Sequence, residues 1–441
     1  MKKLKTLAIV ALLILTTSLA FAGGNSESNN SESRSSNTSN TANTKPTTVT
    51  IWHSAQGSNA TVFQQIADTF NDTIGKEQGI EIEAIYQGKA NDVLTKVNAA
   101  TGTSSLPDIA MMDATAATDM NHSDYLVTVD ELGLDMSNIL QCGISSYTSE
   151  RGQLAIPFNA SALLYYYNKT LYDSLGLAAP QTLDDMATVV AKTASPTRSG
   201  FAGVPATFEL STFLGAQNGC SYMVNNRNGH DGPATQVLFG TNGTYQAFLE
   251  KWKAIYDTGA YNPITSGVTE EFTSGRTAAM LASSSNLSTI IASVAGDFEV
   301  GVAPVPVVNT SATGGTVISG GALFSFTNSP AVKTVLQYLI SPDVQALWSE
   351  STGYVPVNTL AYDTPAYQAF LEANPLYQVA STSLLRSDPR LANVWLPSAY
   401  SIYYSFQANI VDYLQGRDLS ESISSMVSIV QTALTTYASQ N

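Results

Sequence analysis

The stretch that decides the fold opens with TVTIWHS (48–54), a short β-rich run. It is followed by ATVFQQIADTF (60–70), in which the apolar residues recur at helical spacing. IEIEAIY (80–86) alternates apolar and polar residues as a strand does, residues 91–99 have a helical pattern, and PDIAMMD (107–113) predicts a short buried strand. A strand–helix–strand–helix–strand order implies parallel strands joined by helical crossovers. The sequence therefore predicts an α/β fold.

Later segments continue this alternation. Further strands are predicted at residues 163–169, 276–283 and 298–306. A helix is predicted at residues 244–259, where Gly259 ends it. The pairs Ser329-Pro330 and Ser341-Pro342 each predict the start of a helix, because serine can cap free N–H groups and proline fits the first turn. The chain from Ser398 onward is predicted to be mostly helical.

Composition narrows the class of protein. A length of 441 residues suits two or three domains, and 44% apolar with 12% charged residues excludes a largely disordered chain. The 35 acidic and 20 basic residues give a net charge of -15, which repels phosphate backbones, so no nucleic-acid partner is expected. Two cysteines and three histidines support neither a zinc ribbon nor a disulfide scaffold, and no metal or other cofactor is predicted.

The N-terminus predicts export. Residues 1–22 have a basic start, an apolar run and an A-x-A end, which is the pattern of a signal peptide, although an uncleaved membrane anchor is the alternative. Residues 23–46 are rich in Ser, Asn and Thr and are predicted to be a flexible linker. A periplasmic or extracellular location follows, free or membrane-retained. In that compartment Cys142 and Cys220 could be bridged or could remain two free thiols.

No common catalytic motif occurs in the chain. The sequence has no G-x-S-x-G nucleophile elbow, no H-E-x-x-H helix, no P-loop and no glycine-rich dinucleotide turn. We therefore expect that the protein is not an enzyme and has no catalytic residues.

Eight segments in order resemble one known family. They are TVTIWHS (48–54), LPDIAMMD (106–113), IPFNASALLYYYNK (156–169), AAMLASSSNLSTI (278–290), FEVGVAPVP (298–306), ISGGALFSF (318–326), SPDVQALWSESTGYVPVN (341–358) and QGRDLSESIS (415–424). Together they resemble the extracellular solute-binding proteins of bacterial ABC importers, most nearly the members that bind sn-glycerol 3-phosphate. More distant members bind maltose and other sugars. The resemblance runs from about Thr48 to the C-terminus.

This resemblance implies a two-lobe periplasmic-binding-protein fold of type II, with the ligand cleft between the lobes. Lobe one would hold residues 47–158 and 319–357, and lobe two residues 159–318 and 358–441. Hinges are expected near Asn159 and near the segment 319–321, where glycine lets the backbone rotate.

Two ligand positions are expected where strands end. His53 and Ser54 follow the first strand, and loops at the carboxyl ends of parallel strands face the crevice. Asp113 ends PDIAMMD, where the family commonly places a polar contact, and its carboxylate could accept two hydroxyl protons. The alternatives are that His53 is merely solvated and that Asp113 caps the following helix.

Further ligand positions come from the resemblance alone. Small hydroxyl groups or backbone amides would contact ligand at Ser161, Ser283, Ser284, Gly320 and Gly321. Tyr354, in TGYVP, matches a cleft tyrosine of the family. An ordinary serine turn is the alternative for residues 283–285.

Three departures from the family pattern bear on the ligand. The family's cleft tyrosine falls on Ala90, its cleft tryptophan near Phe208, and its phosphate-binding arginine on Trp395, unless Arg386 or Arg390 restores it. An indole cannot bind phosphate bidentately but can stack on a sugar ring. The aromatic run of Trp395, Tyr400, Tyr403 and Tyr404 therefore favours a neutral carbohydrate as ligand. Core packing of a terminal helix is the alternative for these aromatic residues.

The predicted function is capture of a carbohydrate or polyol, with glycerol 3-phosphate or a glycerophosphodiester left open, and delivery to the membrane permease of an ABC importer. The closed, loaded form would dock on the permease, and the protein is expected to be a monomer. An exported carbohydrate-active enzyme and a surface interaction protein are the alternatives.

Overall fold

The structure is a computed structural model that describes residues 45–440. The predicted signal peptide, residues 1–22, and nearly all of the predicted linker, residues 23–46, lie outside the described residues. Within residues 45–440, no helix is both long enough and apolar enough to cross a membrane.

Short strands and longer helices alternate along the described chain. The strands are β1 (Thr47–His53), β2 (Ile80–Tyr86), β3 (Ile109–Asp113), β4 (Thr148–Ser149), β5 (Gly152–Gln153), β6 (Ile156–Pro157), β7 (Leu163–Asn168), β8 (Phe201–Ala202), β9 (Tyr261–Asn262), β10 (Ala279–Ser283), β11 (Val300–Pro304) and β12 (Gly321–Ser325). The α-helices are α1 (Ser58–Phe70), α2 (Lys76–Gln78), α3 (Ala90–Ala100), α4 (Ala116–Met120), α5 (Val129–Leu132), α6 (Gln141–Ser146), α7 (Lys169–Ser174), α8 (Leu183–Thr193), α9 (Thr207–Gly215), α10 (Asn225–Gly229), α11 (Thr244–Tyr256), α12 (Val268–Thr273), α13 (Leu287–Val294), α14 (Pro330–Leu339), α15 (Pro342–Thr352), α16 (Pro365–Ala373), α17 (Tyr377–Leu385), α18 (Ala399–Leu414) and α19 (Leu419–Gln440).

The first sheet has the strand order β2-β1-β3-β12-β6. β1 is parallel to β2 and β3, and helices cross between them as the sequence predicted. β12 returns from far along the chain to pair antiparallel with β3, with Gly321 opposite Asp113. The first sheet is therefore built from two separate stretches of sequence.

The second sheet has the strand order β11-β7-β10-β8-β9. Its central strands pair antiparallel, because β7 is flanked by β10 and β11 running the other way. Tyr165 and Tyr166 of β7 are fully buried on opposite faces of this sheet, in two different apolar clusters. This explains why the aromatic run is buried almost without interruption instead of alternating with polar residues.

The crossings between the two sheets lie side by side. Ser161 and Ser319 exchange backbone hydrogen bonds, with N···O distances of 2.8 Å and 2.9 Å, and the N–H groups of Phe158 and Asn159 both donate to the carbonyl oxygen of Gly321. The two sheets thus follow the predicted division of the chain at residues 158–159 and near 319. The exact lobe boundaries and the hinge motion stay predictions.

The predicted secondary structure is confirmed at most elements. β2 has the predicted bounds, and α14 and α15 begin at the two predicted Ser-Pro pairs. The Ser329 hydroxyl accepts the N–H of Val332 at 3.2 Å, as a cap should, whereas the Ser341 side chain makes no capping bond. Cys142 and Cys220 are free in the structure, and burial raises the pKa of Cys142 to about 11.

Candidate functional site

A cavity of about 360 Å³, hereafter the main cavity, lies between the two sheets. The first-sheet side contributes the end of β3 and the crossing at Ser319 and Gly320. The second-sheet side contributes the first turns of α9 and α18 and the extended segment 393–396. Most of the main cavity is therefore lined by residues at the starts or ends of helices and strands, where backbone and side-chain polar groups are free to face a ligand.

Asp113 is the charged residue of the main cavity. Its Oδ1 accepts the N–H of Thr115 at 3.0 Å and also the Thr115 hydroxyl, and its Oδ2 accepts the hydroxyl of Tyr400 at 3.1 Å. Burial, followed by the charge of Asp113, raises the pKa of Tyr400 to about 12, so this phenol stays a donor. Both alternatives that the sequence left open therefore describe Asp113. It caps the turn before α4, and it also faces the main cavity.

Gly320 gives the main cavity a backbone wall. Its φ of 108° lies in the region that favours glycine, and a Cβ built there would lie 1.4 Å from the carbonyl oxygen of Asn159. No side chain fits at this position. The close approach of the two crossing segments therefore requires glycine and keeps this wall open to a ligand.

Aromatic side chains form the second-sheet wall. Phe208 is the second residue of α9, and Tyr400 and Tyr403 lie one turn apart on α18. Hydroxyl groups of Thr207 and Ser211 stand on the same helix as Phe208. Aromatic faces beside hydroxyl and carboxylate oxygens are a suitable lining for a sugar or polyol, whose ring faces are apolar and whose edges are polar.

Of the predicted ligand residues, the main cavity brings together four: Asp113, Phe208, Gly320 and Tyr403. The other predicted residues lie elsewhere. Gly321 neighbours Gly320 but belongs to β12, where the backbone of Met112 lies 3.2 Å from a built Cβ. Tyr354 is stacked on Trp348, with ring centroids 6.0 Å apart, in the largest apolar cluster.

The predicted serines bond to the protein itself. The Ser284 hydroxyl accepts the N–H of Ala162 at 3.1 Å, and the hydroxyls of Ser283 and Ser285 lie 2.9 Å apart. Ser161 is buried in the crossing and pairs through its backbone with Ser319. These groups hold the start of β7 against the end of β10. For residues 283–285, this arrangement matches the alternative of an ordinary serine turn.

His53 is packed and not merely solvated. Its side chain is buried, and its ring lies 5.0 Å from the ring of Phe63 and 5.9 Å from that of Tyr86. Burial lowers its pKa, and Nδ1 has no hydrogen-bond partner among the described residues. His53 is the last residue of β1 and the half-buried Ser54 follows it, but neither of them lines the main cavity.

Trp395 differs most from its predicted role. The indole is buried in the apolar cluster on the first sheet and is stacked on His230 at 3.8 Å between ring centroids. The neighbours Asn393, Val394 and Leu396 line the main cavity, whereas the Trp395 side chain is packed in this apolar cluster and does not line the cavity. The core-packing alternative therefore describes Trp395, whereas Tyr400 and Tyr403 of the predicted aromatic run line the cavity.

The sequence analysis missed several polar residues of the main cavity. Thr115, Thr207, Ser211 and Asn393 all line it. Thr115 and Thr207 lie at helix starts, which sequence patterns can indicate. Nothing local in the sequence shows that residues almost 300 positions apart face one cavity.

Among residues 45–440, no basic side chain lines the main cavity. Arg390, one of the two candidates for a phosphate contact, is bound to Asp388 through Nε and Nη2 at 3.0 Å and 2.7 Å. These bonds lower the pKa of Asp388 to about 2. Arg386 is exposed at the end of α17 and is likewise absent from the cavity wall.

Comparison with known proteins identifies the relatives of this chain. The sequence profile of the bacterial extracellular solute-binding proteins matches residues 65–375. The sn-glycerol-3-phosphate-binding periplasmic protein UgpB of Pectobacterium atrosepticum is 28% identical over 363 residues, which cover 78% of this chain and 80% of the relative.

Two solved structures have the same fold. UgpB of Mycobacterium tuberculosis in complex with glycerophosphocholine superposes with a TM-score of 0.71 at 22% identity, over 88% of this chain and 99% of that one. The cyclic alpha-maltosyl-1,6-maltose binding protein of Arthrobacter globiformis superposes with a TM-score of 0.75 at 23% identity, over 89% of this chain and 100% of that one. The two-lobe binding-protein fold is thereby confirmed.

Proposed function

Because the chain belongs to the bacterial extracellular solute-binding proteins, we propose that its main cavity captures a neutral carbohydrate or polyol for an ABC importer. Ligand would contact Asp113 and the crossing on one side and the aromatic wall on the other. The form with both walls in contact is favoured by these added contacts, so ligand shifts the protein toward closure. The closed protein then delivers its ligand to the membrane permease.

One observation carries the choice of ligand class: the main cavity pairs a carboxylate with hydroxyl groups and aromatic faces and has no basic side chain. A carboxylate accepts hydroxyl protons, and an aromatic ring covers the apolar face of a sugar. A phosphate ester would bring negative charge against Asp113 with no arginine or lysine to pair with it, which is unfavourable in a partly desolvated site.

The curated relative named for glycerol 3-phosphate supports the importer role and supplies the main competing ligand. The solved structure that is named for binding a cyclic maltosyl-maltose has the same fold and supports a sugar as the ligand. We place the protein outside the cytoplasmic membrane, acting as a monomer and without catalysis, in keeping with the transport role of its relatives.

Thermal unfolding against a ligand panel tests the proposal. The panel holds neutral monosaccharides, disaccharides and linear polyols beside glycerol 3-phosphate and glycerophosphodiesters. A ligand at 100 times its dissociation constant adds about 2.7 kcal/mol to the free energy of unfolding, a shift of a few degrees. We expect shifts with neutral members. Shifts with phosphate esters alone would overturn the choice of ligand class.

The variant Asp113→Asn links that shift to the main cavity. Loss of the charge weakens the hydrogen bonds to ligand hydroxyls, and we expect binding of the stabilising sugar or polyol to weaken at least about tenfold. The matched control is Asp72→Asn, at an exposed position in the turn after α1. Calorimetric titration measures both variants, and equal affinities would place the ligand elsewhere.

A further inference from the structure

A second cavity of about 130 Å³ lies next to the main cavity. Tyr403 lines both cavities, and Glu209 follows Phe208 of the main cavity by one residue on α9. Besides Tyr403, the polar side chains of the second cavity are Glu209, Gln407 and Thr265, and the rest of the wall is small or apolar. The second cavity thus holds one carboxylate in a wall that is partly polar and partly apolar.

Glu209 differs from Asp113 in the number of hydrogen bonds that its carboxylate accepts. Asp113 accepts three hydrogen bonds, from the backbone and hydroxyl of Thr115 and from Tyr400. The Glu209 carboxylate accepts one from another residue, through Oε2 from the N–H of Ala206 at 3.0 Å, which caps the start of α9. No other residue of the described chain donates to it. The cap therefore accounts for one oxygen of Glu209 and leaves the other available to the second cavity.

No cation balances Glu209. Among the described residues, none of the ion pairs includes it, and no lysine, arginine or histidine lines the second cavity. Burial raises the pKa of Glu209, opposed by the N–H groups at the start of α9. An unpaired carboxylate that is partly withdrawn from water is costly, and a cation that enters the cavity would relieve that cost.

We propose that the second cavity is a subsite for a protonated amino group carried by the sugar or polyol in the main cavity. This inference rests on the proposed function. The ammonium would donate charge-assisted hydrogen bonds to Glu209 and lie beside the ring of Tyr403, whose face attracts cations. A hydroxyl in the same place would gain less, because it would donate a hydrogen bond to the carboxylate without adding the attraction of a positive charge.

The geometry supports a ligand that reaches both cavities. The main cavity has room for the neutral body of the ligand, and the smaller cavity has room for a single substituent. Asp113 already accepts three hydrogen bonds within the protein, whereas Glu209 accepts one from another residue. Tyr403 is the wall that such a ligand would contact from both sides. The ligand class becomes an amino-substituted carbohydrate or polyol.

Matched probe pairs test this subsite by calorimetric titration of the whole protein. Glucose and glucosamine differ by one hydroxyl and one amine, as do sorbitol and 1-amino-1-deoxysorbitol, while N-acetylglucosamine removes the charge. We expect at least one amino member to bind about tenfold or more tightly than its hydroxyl partner. Added salt should reduce that preference, because it rests on charge.

The variant Glu209→Gln tests whether Glu209 causes the preference for the amino member of each pair. The amide oxygen of Gln can still accept the N–H of Ala206, so α9 keeps its cap. We expect E209Q to abolish the amine preference, so that the amino and hydroxyl members of a pair bind with affinities within about twofold of each other. The matched control, Glu77→Gln, changes an exposed residue of α2 and should leave both affinities unchanged.

The outcomes separate this inference from the proposed function. If the neutral probes bind and the amino members bind no more tightly, or if E209Q keeps the preference, the ammonium subsite is wrong and the sugar-binding function stands. If no neutral or amino probe binds, both the sugar-binding function and the ammonium subsite are wrong.

Discussion

The two sheets meet through contacts of two very different kinds. On one side lie the buried contacts: the crossing pair, residues 158–161 against 319–321, and the stack of Trp395 on His230. On the other lies the tyrosine contact, a single hydrogen bond of 3.1 Å from Tyr400 to Asp113, with Tyr400 43% exposed. The buried contacts consist of paired backbone groups and packed rings. The tyrosine contact is one partly exposed side-chain hydrogen bond at the main cavity.

This difference indicates where the molecule can open. Breaking one partly exposed hydrogen bond costs about 1 kcal/mol or less, because water replaces it. Separating the buried contacts would strand backbone groups and expose an indole, which costs several kcal/mol. We therefore expect ligand entry at the tyrosine contact and rotation about the crossing pair. The four predictions below test this comparison.

The largest effect is expected at the crossing pair, from Gly320→Ala. The added Cβ would meet the carbonyl oxygen of Asn159, so the two crossings must move apart in addition to the backbone strain at φ 108°. We expect a loss of about 3–6 kcal/mol in the free energy of unfolding, measured with urea. Gly416→Ala is the matched control, with φ 117° and no atom within 4 Å, and should cost about 1–3 kcal/mol. Equal losses would show that the close approach does not matter.

Trp395→Ala tests the packed indole. Because the side chain is buried in the cluster on the first sheet, its removal should cost about 3–5 kcal/mol of unfolding free energy. Affinity for the stabilising sugar should change by less than about threefold, since Trp395 does not line the main cavity. Tyr404→Ala, at a side chain 65% exposed, is the control for stability. A large affinity loss with little change in stability would restore the predicted stacking of Trp395 on a sugar ring.

Acid should weaken the buried contacts through His230. Its ring nitrogens lie 3.1 Å and 2.8 Å from the carbonyl oxygens of Thr148 and Asn393, which favour protonation, but burial outweighs them and lowers its pKa to about 4. The unfolded chain therefore binds more protons between pH 6.5 and 4. The free energy of unfolding should fall as pH drops through that window, by about 3 kcal/mol in all.

The pH dependence is measured by urea unfolding from pH 7 to pH 4. His230→Gln should flatten the slope in that window, whatever it does to stability at pH 7. His122→Gln, at an exposed position, should keep the wild-type slope. Parallel slopes for the wild type and the His230 variant would contradict the assignment.

The smallest effect is expected at the tyrosine contact, from Tyr400→Phe. Loss of one partly exposed hydroxyl should lower the free energy of unfolding by less than about 1 kcal/mol, close to the value for Tyr404→Phe. A loss as large as that of Gly320→Ala would mean that both sides of the molecule are held equally, and the expected direction of opening would be wrong.

The regular elements were largely predictable because their signals are local. The alternation in β2 and the Ser-Pro start of α14 each need only a few neighbouring residues, and both are confirmed. Asp113 could be predicted for the site because the end of a parallel strand is a favoured place for ligand contacts. Glu209 could not, since its helix gave no sign that it would face a cavity in which none of the described residues is basic.

The sequence alone determined the α/β class, the order of strands and helices, and through eight ordered segments the family. Only the tertiary structure decided which side chains of the extended segment 393–396 face the cavity, because their surroundings come from elements far away in the chain. It placed Val394 and Leu396 in the cavity wall and Trp395 in the core. It also decided which carboxylate lacks donors, since the partners of Asp113 and the neighbours of Glu209 come from segments far apart in the chain.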